Sequence, residues 1–124
     1  RERVGSCRDL AMLMVECCRS VGLPARFTSG YQLIDPPPPD YDLHAWAEIY
    51  LPGAGWRGFD PSSGSEINER YIVLASSSKP ELTAAVSGNF TGPPNTSSTL
   101  NWTIKAQIAD MKHDDTAMKT AQAA

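Results

Sequence analysis

The chain has no uninterrupted apolar run near the roughly 18 residues that a bilayer span requires. Its N-terminus also lacks the charged, apolar and cleavage regions of a signal peptide. No membrane partner is expected. Basic residues are few as well, with Lys and Arg numbering 11 against 14 Asp and Glu, for a formal charge of -3, and the two signs are interspersed. Without a basic stripe there is no electrostatic footprint for nucleic acid. Cysteines number 3, two of them adjacent, and no CxxC pair occurs. That set neither builds a disulfide framework nor holds zinc, so reduced thiols are expected, which tilts the compartment slightly toward a reducing cytoplasm. No internal repeat is visible. A starting Met is missing too: Arg1 opens the chain and a helix start follows within a few residues, so the chain reads as a piece of a longer protein.

What is present fits one small domain, with 124 residues of which 41% are hydrophobic. Residues 1–110 read as its core and residues 111–124, rich in Ala, Lys and Asp, as a flexible tail. Leu10, Leu13, Met14, Cys17, Cys18 and Val21 recur at helical steps and predict a helix over residues 7–21 with those side chains on its buried face. Ser6 with Asp9 three positions later forms a capping signature, and Gly22 and Pro24 supply the stop. Residues 25–33 read as a strand with a bulge or close backbone approach at Gly30. The four prolines at 36–39 impose an extended surface loop. Residues 44–51 alternate strictly, His44, Trp46, Glu48 and Tyr50 on one face and Ala45, Ala47, Ile49 and Leu51 on the other, the small apolar face suiting the helix. Turn residues at 52–55 then lead into a strand over 56–60, an antiparallel hairpin. Residues 71–75 read as a further strand beside it or linked to it, and the alternation of residues 100–108 predicts a last, half-buried strand closing the sheet.

Three residues carry the chemistry. Cys7 stands at the N-terminus of the helix, where unpaired backbone donors and the helix dipole favour a thiolate. Taken singly it is equally explained as a small buried hydrophobe, His44 as a hydrogen-bonded structural residue, and Asp60 before Pro61 as a turn initiator. The hairpin ties the last two together. A symmetric even-length turn sets Asp60 across from Ala47 on the wrong face, whereas an odd loop or bulge within residues 52–55 sets it opposite Trp46 or His44. From there a carboxylate can bond one imidazole nitrogen and leave the other for a thiol. Cys17 and Cys18, mid-helix, read as core. Asn89, Asn95 and Asn101 each open an N-x-Ser/Thr triplet, which means little in a Thr-rich loop without a secretory route.

Gly-Ser-Cys-Arg-Asp at 5–9, Val-Gly-Leu-Pro-Ala-Arg at 21–26, Gly-Tyr at 30–31, His-Ala-Trp-Ala-Glu-Ile-Tyr at 44–50 and Gly-Trp-Arg-Gly-Phe-Asp-Pro at 55–61 closely resemble the transglutaminase-like superfamily in order and spacing. The resemblance covers the first half of the chain, to about Gly64. It implies an α+β fold, the papain-like transglutaminase core, with the Cys7 helix packed on an antiparallel sheet. It also implies Cys7 as nucleophile, His44 as base and Asp60 as orienter. Two departures stand out: the helical portion that precedes the cysteine block in the family lies before Arg1 or is absent, and residues 76–80 stand where bacterial relatives carry a Gly-Arg-Asp-Tyr type motif.

The implied activity is that of a cysteine protease, amidase or acyltransferase working through a thioester on a peptide or protein amide, with no cofactor and no metal. Loops at residues 36–39 and 76–80 are expected to frame the cleft, with Tyr31 and Trp46 as candidates for contacting substrate and Trp56 for lining it, although aromatic side chains on a sheet face are more often core. Hydrolysis ranks ahead of cross-linking, because nothing in the chain suggests a second, amine-binding subsite or calcium loops. The competing reading is an inactive transglutaminase-like module kept for protein binding. A thiol metal site on Cys7 and His44 is weaker, for want of further clustered ligands.

Overall fold

The computed structural model describes residues 5–106; the expected tail at 111–124 lies outside them. One helix, α1 (Cys7–Ser20), packs on one face of an antiparallel sheet of five strands, β1 (Ala25–Gln32), β2 (His44–Leu51), β3 (Gly55–Asp60), β4 (Ser65–Glu66) and β5 (Tyr71–Ser77), in the order β4-β3-β2-β1-β5. A short 3-10 turn (Pro80–Thr83) follows β5. This is the α+β architecture that the family resemblance implies. No helix among the described residues is long and apolar enough to cross a membrane.

Both ends of α1 form as the sequence dictates. The Ser6 side chain accepts from Asp9 N–H and the Asp9 carboxylate accepts from Ser6 N–H at 2.9 Å, a reciprocal cap that satisfies two donors. At the other end Gly22 takes a left-handed φ of 84°, and Leu23 N–H returns to Cys18 O.

The buried arc of the helix is not the expected one. Ala11 and Val15 are its buried residues, with Cys7, Met14 and Cys18 packed beside them, while Leu13, Cys17 and Val21 face outward. Apolar residues cover so much of the circumference that three- and four-residue spacing fits two adjacent arcs. The sheet selects the arc with small side chains, because Ala45 and Ala47 leave a flat surface that Ala11 and Val15 approach closely. Cys17 is therefore exposed rather than core.

The segment expected to close the sheet does not join it. Residues 100–106 form no strand, and Leu100 and Trp102 are exposed; residues 107–108 lie outside the described part. Instead of pairing with a strand, Ile104 N–H donates to Asp40 Oδ1 at 2.7 Å, and Ile104 O accepts from Tyr41 N–H at 3.1 Å. Alternation had the right period, but β4 and β5 occupy the ends of the sheet and residue 104 pins the proline-rich loop. That loop contains a cis bond at Asp35–Pro36.

Strand β5 takes its place beside β1 rather than beside the hairpin, with Gln32 across from Tyr71. The pairing slips at Ser29/Gly30, the bulge expected there. A Cβ on Gly30 would lie 2.0 Å from Ile72 O and 2.6 Å from the Trp46 ring, so only glycine fits this approach.

Candidate active site

The hairpin of β2 and β3 settles where Asp60 stands. Leu51 pairs with Gly55 and Ala47 with Phe59, so the connection has an odd length. Pro52 precedes Gly53 at φ 84°, and Ala54 N–H closes the turn on Leu51 O at 3.0 Å. Asp60, one step past the Phe59 pair, falls on the face of Trp46 and His44.

There its carboxylate is fully engaged. Oδ1 accepts from Ser62 N–H at 2.9 Å and from the Ser62 hydroxyl at 2.6 Å. Oδ2 meets His44 Nε2 at 2.7 Å and accepts from the Tyr71 hydroxyl at 3.0 Å. The side chain is wholly shielded from solvent, while that of His44 keeps 17% of its exposure. Burial alone pushes the Asp60 carboxyl up, but the Ser62 hydroxyl, His44 and the Ser62 N–H, with the charge of His44, together hold it well below the ordinary carboxylate range. An ionised carboxylate only accepts, so His44 Nε2 carries the proton in this pair and Nδ1 is the ring nitrogen left to take one.

Cys7 is the first residue of α1, and His44 the first of β2. The helix lies on the sheet face of Ala45 and Ala47, so the two residues come together at the end of the sheet rather than on one face. Both line one cavity of about 280 Å³, whose walls include Gln32, Pro38, Tyr41 and Leu43. No hydrogen bond joins thiol and imidazole; they share the cavity wall. The Arg8 guanidinium sits 5.3 Å above the Phe27 ring, which adds a cation beside the first turn of the helix. Further along the helix, burial and then its neighbour Cys17 push the Cys18 thiol up, toward the protonated form.

Other expected contacts fall elsewhere. Trp46 is completely buried, with Tyr71 edge-on at 5.4 Å, and presents no wall to the cavity. Tyr31 is not among the residues that line it. Pro38 does flank the cavity, as the proline loop was expected to, but Ser76 to Lys79 border a separate cleft with Arg19, Arg26 and Trp56. Ser76 bonds to Thr28 and Glu48, further along the same sheet face from His44, which explains why that segment does not frame the site. Among the described residues no group of three or more His, Cys, Asp or Glu side chains gathers as a metal site.

Sequence reasoning missed Ser62, Tyr71 and Gln32. Ser62 had a signal, because Asp followed two positions later by Ser is a common side-chain turn. Tyr71 and Gln32 had none, since their role depends on β5 pairing with β1.

Comparison with known proteins agrees with this fold. Residues 1–61 match the family described as the transglutaminase-like superfamily. The chain carries a transglutaminase-like core. Among its relatives, a Mycobacterium tuberculosis protein described as uncharacterized is 38% identical over 82 residues, which is 58% of this chain and 26% of that protein. A protein-glutamine gamma-glutamyltransferase of Pseudomonas aeruginosa is 36% identical over 67 residues, covering 48% of this chain and 10% of the enzyme. The Bacillus subtilis protein YebA, also described as uncharacterized, is 32% identical over 73 residues, with 50% and 10% covered. The transglutaminase-like core thus spans only about a quarter or a tenth of the length of these relatives. No solved structure matches it.

Proposed function

We propose that this transglutaminase-like core opens amide bonds by acyl transfer, with Cys7 as nucleophile, His44 as general base and acid, and Asp60 as the group that orients His44. The observation that carries the reading is the 2.7 Å contact of His44 Nε2 with a buried, fully bonded Asp60, beside a cysteine that begins a helix in the same cavity. His44 Nδ1 takes the thiol proton, and the thiolate attacks the amide carbonyl carbon. Backbone N–H groups at the start of α1 hold the resulting oxyanion. Collapse breaks the carbon–nitrogen bond, the leaving amine takes the proton from His44, and a thioester remains on Cys7. Water or an amine then attacks the thioester, giving its proton to His44 and releasing the thiol. The first acceptor makes the enzyme an amidase or protease, the second a transglutaminase.

The similarity to a protein-glutamine gamma-glutamyltransferase favours a glutamine side-chain amide as acyl donor. The test is to incubate the protein with a blocked glutaminyl peptide, with and without hydroxylamine, and to measure ammonia, glutamyl product and hydroxamate. Ammonia release that disappears in Cys7→Ala, and falls by about 10²-fold or more in His44→Ala, is the expected result. Amide consumption that survives Cys7→Ala, or none in the intact protein, sinks the reading and leaves a binding module.

A further inference from the structure

Tyr71 opens β5, and two whole strands, β1 and β2, separate it in the sheet from the strand that carries Asp60. Its hydroxyl nevertheless reaches Asp60 Oδ2 at 3.0 Å, the same oxygen that meets His44 Nε2. The phenol is itself anchored. Gln32, directly across in the β1/β5 pairing, donates from Nε2 to the Tyr71 oxygen at 2.8 Å. The ring stands edge-on against buried Trp46 at an interplanar angle of 76° and lies 6.2 Å from the His44 ring.

We propose that Tyr71 is a positioning residue for His44: through its hydroxyl it fixes which lone pair of Asp60 faces the imidazole, and so fixes the ring with Nδ1 turned from the carboxylate. This rests on the acyl-transfer reading above for its catalytic consequence, though not for its geometry. A carboxylate turns easily about its terminal torsion, which has broad minima. Ser62 restrains Oδ1 but belongs to the same turn and moves with Asp60. Tyr71 is held by a different strand, so its bond ties the carboxylate to the far side of the sheet. Four donors on one carboxylate fill its acceptor sites and leave one orientation satisfied.

Tyr71→Phe keeps the ring and its contact with Trp46 and removes only the hydroxyl. Gln32→Leu keeps the hydroxyl and removes its anchor. The chain has 2 histidines, so proton–nitrogen NMR of histidine-labelled protein resolves the His44 ring, with His44→Ala giving the assignment. In the parent protein we expect a slowly exchanging Nε2–H. In Tyr71→Phe its exchange quickens by about tenfold, the scale of one hydrogen bond to a charged group, and Cys7 alkylation slows several-fold. Gln32→Leu moves both readouts in the same direction and by less, while circular dichroism remains that of the parent. A Tyr71→Phe protein with the parent's ring signal overturns the proposal. Should His44→Ala leave Cys7 alkylation unchanged, the acyl-transfer reading fails by itself, and the ring signal still decides whether Tyr71 positions His44.

Discussion

Asp60 stands 2.7 Å from His44 although the strand pairing carries it one step past Phe59, on the diagonal from His44 rather than directly opposite. The aspartate reaches along the sheet face to the ring, in the range over which diagonal neighbours interact. What makes this work is a buried carboxylate that remains ionised because donors surround it.

A pH dependence of stability follows. The folded Asp60 carboxyl titrates below its unfolded value of about 3.9. Its contribution is therefore present above that pH and is lost as the pH falls through the lower, folded value. Urea unfolding at pH 7, 5, 4 and 3 should show the parent protein more stable than Asp60→Asn at the higher values, with the gap beginning to narrow at the lowest. A gap that is constant with pH contradicts the account.

Ser6 caps α1 immediately before Cys7. Replacing it with alanine should cost about 1 kcal/mol of unfolding free energy. Because Cys7 occupies the first helical position, fraying there should also lower its alkylation rate. Denaturant unfolding and alkylation of one Ser6→Ala sample measure both effects.

Gly30→Ala should be more damaging than an ordinary glycine substitution in a strand. Its new methyl meets a backbone oxygen of β5 rather than a movable side chain, and Trp46 on the other side. Overpacking of this kind typically costs roughly 1–3 kcal/mol. Displacement of β5 also draws Tyr71 from Asp60, so melting temperature and activity should both fall further than in Gly22→Ala, where the added methyl meets nothing within 4 Å and the cost is only that of a left-handed φ of 84°.

Much of this was legible in the sequence wherever the determinants are local. The cap at Ser6 and Asp9, the stop at Gly22, the strict alternation of residues 44–51 and the Pro52–Gly53 turn each rest on neighbouring residues, and each formed as expected. The face of Asp60 was left open between an even and an odd loop, and the structure shows the odd one. Sequence reasoning failed where the deciding partner is distant. Which arc of α1 is buried depends on the shape of Ala45 and Ala47, and the fate of residues 100–106 depends on sheet ends occupied by other strands. Trp46 alternates like a cleft residue, yet it is sealed by Tyr71 and the close approach at Gly30. The one donor to Asp60 from β5, Tyr71, was invisible for the same reason.

The central claim is that Cys7 and His44 act as a pair, and iodoacetamide labelling of Cys7 tests it most directly. The labelling is followed by mass spectrometry at neutral pH in a Cys17→Ser, Cys18→Ser background, because Cys17 is exposed and would compete. The account predicts rapid carboxamidomethylation of Cys7 that slows by about tenfold or more in His44→Ala. Equal rates with and without His44, or a Cys7 that does not react at all, would contradict it.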